Sequence, residues 1–460
     1  MTRGRRPPIR PAPGKHGRQA WGSTSEGMAH MHPKEGWRAG RPPIPGVSGG
    51  LSRRAFLRRG AGAGAALVAA GGTSSLLAAC SDALSAGVTG KPLPLARPNH
   101  PVTWPIYADN QPIKNGMKPE RSATLKIYNW VAYVNQKCLN EFGKKYHCTV
   151  EVTTFNTMTE ALAALSSGQV NFDVFMGVTA DVIGKAVAAR LIQPLNHSYI
   201  PNISQAWKEY TNPFYDQHWQ YTIPYTIYTT GIAWRKDYIH DDPGSWPNGY
   251  AFPWQGKYSG KVAILDDYRE SPTLALMKNG IYDVNTTDPA QILLARDSLL
   301  HLASLTNVHV DNNDYSEIPT GQIWIHHAWS GDMAASWQYL PKGVSADVIG
   351  YWFPADGKGP VANDTNTILR GAQNPVLAHL FLDYMLDLPN VLTNISYNGY
   401  MQPIYGVTPQ RLESDGILPK ALSSTVVLEE NFKHGLWELQ LPVTADLAWQ
   451  RAWQVVSLGI

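Results

Sequence analysis

The sequence predicts an α/β protein folded as two lobes, and three observations carry that reading. Runs with strand character alternate with helical runs from Ala123 onward. The chain after residue 80 holds about 380 residues, more than one core ordinarily serves. A single extended stretch, Tyr221-Thr-Ile-Pro-Tyr-Thr-Ile-Tyr-Thr-Thr-Gly-Ile-Ala-Trp234, is far longer than an ordinary strand of about five or six residues. It reads as a strand that runs from one lobe into the other.

The region before the body has the grammar of an export signal. Arg53 and Arg54 sit in Ser-Arg-Arg-Ala-Phe-Leu-Arg, an uncharged run of Ala, Gly, Val and Leu follows, and Leu77-Ala78-Ala79-Cys80 closes it. The pattern resembles a twin-arginine signal joined to a lipoprotein box, in which Cys80 becomes the lipidated first residue of the mature chain. A single membrane-spanning helix is the alternative, weakened by the many Gly and Ala residues. Both readings place everything after residue 80 outside the cytoplasm. Charge changes sign at the same boundary. Residues 1–79 hold 13 Lys or Arg against 2 Asp or Glu, net +11, which leaves 26 against 34, net −8, for the remainder. An acidic mature chain argues against a nucleic-acid partner and mildly for a cationic one. Residues 1–50 are basic, rich in Gly and Pro and without apolar period, which predicts disorder; a start at Met28 or Met31 would leave a signal of ordinary length. Residues 80–122 carry Pro92, Pro94, Pro98, Pro101, Pro105, Pro112 and Pro119 and predict an extended tether, with Trp104, Ile106 and Tyr107 as residues that could lie against the body.

Within the body, Thr124-Leu-Lys-Ile-Tyr-Asn-Trp130 alternates and favours a strand. Residues 134–146 predict a helix and 148–155 a second strand. Asn156 to Ser167 predicts a helix with Thr157 or Thr159 as N-cap. Asp173-Val-Phe-Met176 is short and apolar, fit for a buried parallel strand. Lys261 to Leu265 predicts a strand whose carboxyl end carries Asp266-Asp267-Tyr268-Arg269-Glu270, and such ends are where α/β folds gather ligand groups. Asp288-Pro289-Ala-Gln291 opens a helix to about Leu302, with Gln291 expected to reach back to the N-cap. Further strands are predicted over 322–328, 344–352 and 363–370, and helices over 374–388, 389–397, 420–435 and 442–457. Cys138 and Cys148 read equally as a disulfide and as two small buried thiols. His326 and His327 are adjacent on a strand and face opposite sides, so no metal pair is expected there.

Tyr128-Asn129-Trp130, Ile223-Pro224-Tyr225, Asp266 to Glu270, Trp329-Ser-Gly-Asp332 and Gly399-Tyr400 stand in one order and spacing. That series resembles the polyamine (spermidine/putrescine) substrate-binding proteins of ABC importers, over nearly all of Ala123 to Trp453. The resemblance implies a two-lobed type II periplasmic-binding-protein fold with hinge crossovers at 221–234 and near 353–366. Its lobes would be 123–229 and 230–364, with 365–460 returning to the first lobe. Ligand would sit in the cleft between them, and closure would present the complex to a membrane permease. The expected protein is a monomer without cofactor or metal.

A linear polyamine asks for carboxylates at its ammonium ends and aromatic faces along its stem. The resemblance implies Trp130 and Trp329 as aromatic walls and Tyr133 and Tyr400 as polar-tipped walls. Glu270, Asp332 and Asp364 would accept the amines, Asp267 would bind or pair with Arg269, and Thr179 is the polar residue at the end of its strand. Three positions depart from the pattern: Ala132 stands where an acid is expected, Ala180 lies in a small apolar run, and Ala362 replaces an aromatic. The first lobe is thus short of a carboxylate and of wall area, which opens the cleft to a bulkier cation or one with a single anchored amine. Two other classes stay open: a same-fold binder of another solute and a lipid-anchored secreted enzyme. An anion binder would want Arg or helix N-termini at the matched positions, which are acidic. After Cys80 there is no Gly-x-Ser-x-Gly, His-Glu-x-x-His or phosphate loop; the one Gly-x-Ser-x-Gly match, Gly46 to Gly50, falls in the basic N-terminal region with no strand before it or helix after it in the pattern.

Overall fold

A computed structural model of the chain describes residues 94–168 and 170–459. Arg53, Arg54, Cys80 and the signal reading lie outside the described residues. Strand β1 (Thr124–Trp130) is followed by helix α1 (Gln136–Tyr146), whose first turn is capped by Asn135 and whose end is set by left-handed His147. Strand β2 (Thr149–Phe155) lies parallel to β1 in a register that pairs Thr124 with Thr149 and Trp130 with Phe155. Helix α2 (Met158–Ser166) starts on Thr157, whose hydroxyl accepts from the Glu160 N–H at 3.1 Å. Strand β3 (Val174–Thr179) and helix α3 (Ile183–Ala188) complete the first run.

Strand β4 (Thr222–Arg235) is buried along all 14 of its residues. The chain continues with β5 (Val262–Ile264), α4 (Glu270–Lys278), α5 (Pro289–Thr306), β6 (His309–Val310), α6 (Asp314–Thr320), β7 (Ile325–Trp329) and α7 (Ser330–Ala335). Next come β8 (Ile349–Trp352), β9 (Pro360–Ile368), α8 (Pro375–Leu386) and α9 (Leu388–Asn398). The chain ends with α10 (Pro409–Ser414), α11 (Glu429–His434), β10 (Leu436–Trp437) and α12 (Val443–Gly459). The strands run in the order β2-β1-β3-β9-β4-β7-β5-β6, with β10 beside β9 and β8 beside β4.

The first half of β4 pairs with β9, and its second half pairs with β7 and β8. One strand therefore belongs to two sheets, and residues 353–359 carry the chain back from β8 to β9. This long strand holds the two lobes in one frame. Its entry is held by Asp216, a buried carboxylate that accepts from the N–H groups of Tyr221 and Thr222 at 2.9 Å and from the Thr222 hydroxyl at 2.8 Å.

Of the two open readings of Cys138 and Cys148, the structure shows free thiols: Cys138 turns into the core with its Sγ 3.7 Å from the Asn390 carbonyl oxygen, while Cys148 is only half-buried at the start of β2. Other expectations are corrected. Gln291 does not reach back: Asp288 caps the helix by accepting from the Ala290 N–H at 2.8 Å, and Gln291 Oε1 has no partner. Residues 420–435 do not form one helix, since Val426 and Leu428 are extended and Val427 is buried between two short turns. Within the described part of 80–122 the chain packs on the body, as expected for Trp104, while Ile106 stays exposed. Val102 and Trp104 are buried, and Trp104 Nε1 donates to the Tyr215 carbonyl at 2.7 Å. The C-terminal helix departs from the expected return to the first lobe. In α12, Trp449, Trp453 and Val456 share a core with Ile292, Ala295 and Leu299 of α5. Its apolar side matches α5, whereas the first sheet is already covered by the 94–112 segment on one face.

With no disulfide in the body, the melting temperature should be the same with and without dithiothreitol. A drop of several degrees on reduction would contradict the free thiols.

Candidate functional site

The carboxyl ends of β1, β3 and β5, the middle of β4 and the segment between β10 and α12 surround one cavity of about 390 Å³. Trp130 and Thr179 enter it from the first sheet, and Asp267, Glu270 and Trp329 from the second, so five of the expected residues share one space. Their positions have local causes. Trp130 Nε1 donates to the Gly177 carbonyl at 2.8 Å. Gly177 has φ of +71°, and a Cβ there would stand 2.4 Å from Trp130 Cδ1, so only glycine leaves room for the indole.

Asp267 folds back on the start of α4 and accepts from the Arg269 and Glu270 N–H groups at 2.7 and 3.0 Å. It thus meets the backbone of Arg269 and not its guanidinium. The Arg269 side chain turns to the Leu439 and Val284 carbonyls and Asn285 Oδ1, over the Trp449 ring. Glu270 Oε1 accepts from the Thr230 hydroxyl at 3.0 Å and from Trp329 Nε1 at 2.8 Å, while Oε2 is buried with no partner. The carboxylate is therefore held by groups from β4 and β7 yet keeps one oxygen unsatisfied.

Tyr133, Asp332, Asp364 and Tyr400 do not line the cavity. Asp364 lies behind it, accepting from the Tyr133 hydroxyl at 2.6 Å and, at 3.5 Å, from those of Thr226 and Tyr228. Tyr228 lines the cavity and stands edge-on to Tyr400, with ring centroids 5.8 Å apart, so it is the partition between the open space and this buried cluster. Tyr133 packs edge-on against Tyr400 at 5.0 Å. Gly331 makes room for the Tyr400 ring, which a Cβ would meet at 2.3 Å. Asp332 is half-buried and its charge acts on Asp314 and Tyr400.

The sequence reading missed Tyr228, Asp181, Asn363, Trp437 and Glu438, all of which line the cavity. Asp181 had a signal, since it lies two residues past the carboxyl end of a buried strand. Glu438 had none: it lies in an irregular segment, with its Oε1 3.4 Å from the Thr273 hydroxyl that donates to it. Ala180 and Ala362 do face the cavity, and Ala132 does not.

Five carboxylates line this space, Asp181, Asp267, Glu270, Glu438 and Asp446, against two cations, Lys185 and Arg269. Lys185 is paired with Asp446 at 2.8 Å, and Tyr268 donates to the same carboxylate at 2.9 Å. Burial, then the charge of Asp267, pushes Glu270 up to about 7. Burial, then the charge of Glu270, holds Glu438 well above the usual range. Burial also raises Asp267, and lifts Asp364 to about 6. These groups resist ionising because burial and their mutual repulsion outweigh the partial offset from Arg269, so a cation placed among them would be strongly favoured.

A two-lobed α/β body with an acidic cavity between two sheets sharing one strand defines a binding protein of the periplasmic kind. The chain belongs to the bacterial extracellular solute-binding protein family, whose model matches residues 127–388. It is 26% identical over 275 residues to the putrescine/cadaverine-binding protein of Pseudomonas aeruginosa, covering 59% of this chain and 77% of that one. It is 27% identical over 346 residues to the spermidine/putrescine-binding periplasmic protein of Escherichia coli, covering 73% and 92%. A solved spermidine/putrescine ABC transporter substrate-binding protein from Streptococcus pneumoniae has the same fold, with a TM-score of 0.58, 22% identity and coverage of 74% and 99%. Trp437, Glu438 and Asp446 lie beyond the segment that the family model matches.

Glu270→Gln should raise the stability of the ligand-free protein at pH 8 and leave it nearly unchanged at pH 4. The raised carboxyl contributes stability below its unfolded pKa of 4.5 and loses it as pH rises through about 7. Removing the charge should therefore gain about 2–3 kcal/mol at pH 8. Chemical denaturation at the two pH values measures it, and a loss of stability at pH 8 would show that the carboxylate is satisfied in the fold.

Proposed function

We propose that this protein captures a linear polyamine in its interlobe cavity and delivers it to the permease of an ABC importer. The observation that carries the reading is the excess of carboxylates over cations, five against two, in a space walled by Trp130, Trp329 and Tyr228. Ammonium groups would offset Glu270, Asp267 and Glu438, and the indole and phenol faces would cover the methylene stem, at about 0.5–2 kcal/mol per cation–π contact. The names of the relatives, which bind putrescine, cadaverine or spermidine, support the same ligand class. Its role is capture and release, not turnover.

In this reading Trp130, Thr179, Asp267, Glu270 and Trp329 touch the solute. Tyr133, Asp364 and Tyr400 set the position of Tyr228, and Asp332 biases the same cluster. Ala180 and Ala362 widen the cavity, and Glu438 supplies a carboxylate where Ala132 does not. The lobes hinge where β4 passes between sheets and along 353–359, with lobe limits near 229 and 364. The protein works as a monomer on the outer face of the cytoplasmic membrane, held by lipid at Cys80.

Calorimetric titration with putrescine, cadaverine, spermidine and spermine should show one site for at least one of them. Undetectable binding of all four would overturn the proposal. Glu270→Gln should weaken that binding by more than tenfold through loss of a charge-assisted contact; unchanged affinity would remove Glu270 from the site.

Affinity should also fall as pH drops from 8 to 6. The ligand favours the ionised carboxylate, and Glu270, near 7, takes up its proton across that window. Binding at pH 7 should release protons, seen as a heat that changes with the ionisation enthalpy of the buffer. A pH-independent affinity would disconnect this carboxylate from the ligand.

A further inference from the structure

We infer that the second lobe carries a site for a divalent transition-metal ion of the zinc type, formed by Asp311, Glu317 and His326. These residues come from the turn after β6, from α6 and from β7, and one donor atom of each lies within 4.8 Å of the others. None of them lines the solute cavity. The adjacent histidines do not share an ion; His326 finds its partners across the fold.

The hydrogen-bond pattern dictates what His326 presents. Its Nδ1 lies 2.6 Å from the His327 carbonyl oxygen, which can only accept, so Nδ1 carries a proton. A neutral ring then keeps a lone pair on Nε2. That nitrogen is fully buried, has no hydrogen-bond partner, and lies 3.7 Å from Asp311 Oδ1. Glu317 Oε1 accepts from Gln322 at 2.8 Å, but Oε2 is buried without a partner. Three electron-pair donors thus converge, and lone pairs facing lone pairs repel unless something positive lies between them.

The spacing suits an ion better than a hydrogen bond. A separation of 3.7 Å exceeds the roughly 2.7–3.2 Å of an N–H···O bond. Two ligands each about 2.0–2.2 Å from one tetrahedral ion stand about 3.4 Å apart. One imidazole with two carboxylates favours zinc, cobalt or manganese over calcium or magnesium, which prefer all-oxygen shells. The supporting bonds of a metal site are already present. The His327 carbonyl orients the imidazole, Gln322 holds Glu317, and the Asn313 N–H donates to Asp311 at 2.8 Å. Asp311 is 22% exposed and gives the ion its path in and a position for water.

The test uses the full chain without an affinity tag, stripped with a chelator and dialysed, then titrated calorimetrically with zinc chloride. One equivalent should bind with micromolar or tighter affinity and raise the melting temperature. Excess magnesium or calcium should not displace it, and cobalt(II) should give visible absorption. Glu317→Gln, which keeps size and hydrogen bonding, should weaken zinc binding at least 30-fold while putrescine binding is unchanged; His326→Asn should do the same. No zinc uptake by the wild-type chain overturns the site. Undiminished uptake by Glu317→Gln places the ion elsewhere and also overturns it, whether or not His326→Asn folds. A preference for calcium or magnesium overturns the imidazole's part.

Discussion

Negative charge kept out of water without a positive partner is the constraint on which the site rests. A buried carboxylate costs several kcal/mol unless hydrogen bonds and opposite charge offset it. Glu270 receives two hydrogen bonds, from Thr230 and Trp329, and no ion pair. Arg269, the nearest cation in sequence, turns to backbone carbonyls, to Asn285 and to the Trp449 face. The cavity is left with a charge deficit that only an incoming cation removes. The fold supports that unfavourable arrangement with its cores, where long apolar strands such as β4 are buried throughout.

Strand β4 is also what brings the acids together. Its first half lies beside β9 and its second beside β7, so the ends of strands from both sheets open onto the same space. Thr179 and Asp181 arrive from one side and Asp267, Glu270 and Trp329 from the other. The third wall comes from late in the chain. The segment from Trp437 to Asp446 leaves the first sheet at β10 and enters the second lobe's core with α12. It crosses the cavity on the way, and the Lys185–Asp446 pair ties it to α3.

The small side chains of Ala180 and Ala362 face the same cavity as Tyr228, Trp437 and Glu438. Tyr228 reaches Asp364 with its hydroxyl and Tyr400 with its ring, so the buried aromatic cluster acts through one residue at the cavity face. Gly177 and Gly331 do comparable work for Trp130 and Tyr400, since any Cβ would collide with the ring that each one admits.

Much of the fold was legible in the residues themselves. Strand alternation at 124–130, the Asp288-Pro289 helix start and the length of the 222–235 run act through neighbours in sequence, and local stereochemistry decides them. The acids at Asp267 and Glu270 were legible because strand ends in α/β folds face a common crevice. Tyr228 was not, because a strand's alternation tells which faces differ but not what each face meets. Glu438 was not, because an irregular segment carries no period, and its place is set by β10 and α12 docking on different lobes. The free state of Cys138 and Cys148, the unused reach of Gln291 and the convergence of His326 with Asp311 and Glu317 were likewise settled only in three dimensions. Pairing, ligation and burial depend on distances between residues far apart in the chain, and those distances exist only once the sheets have packed.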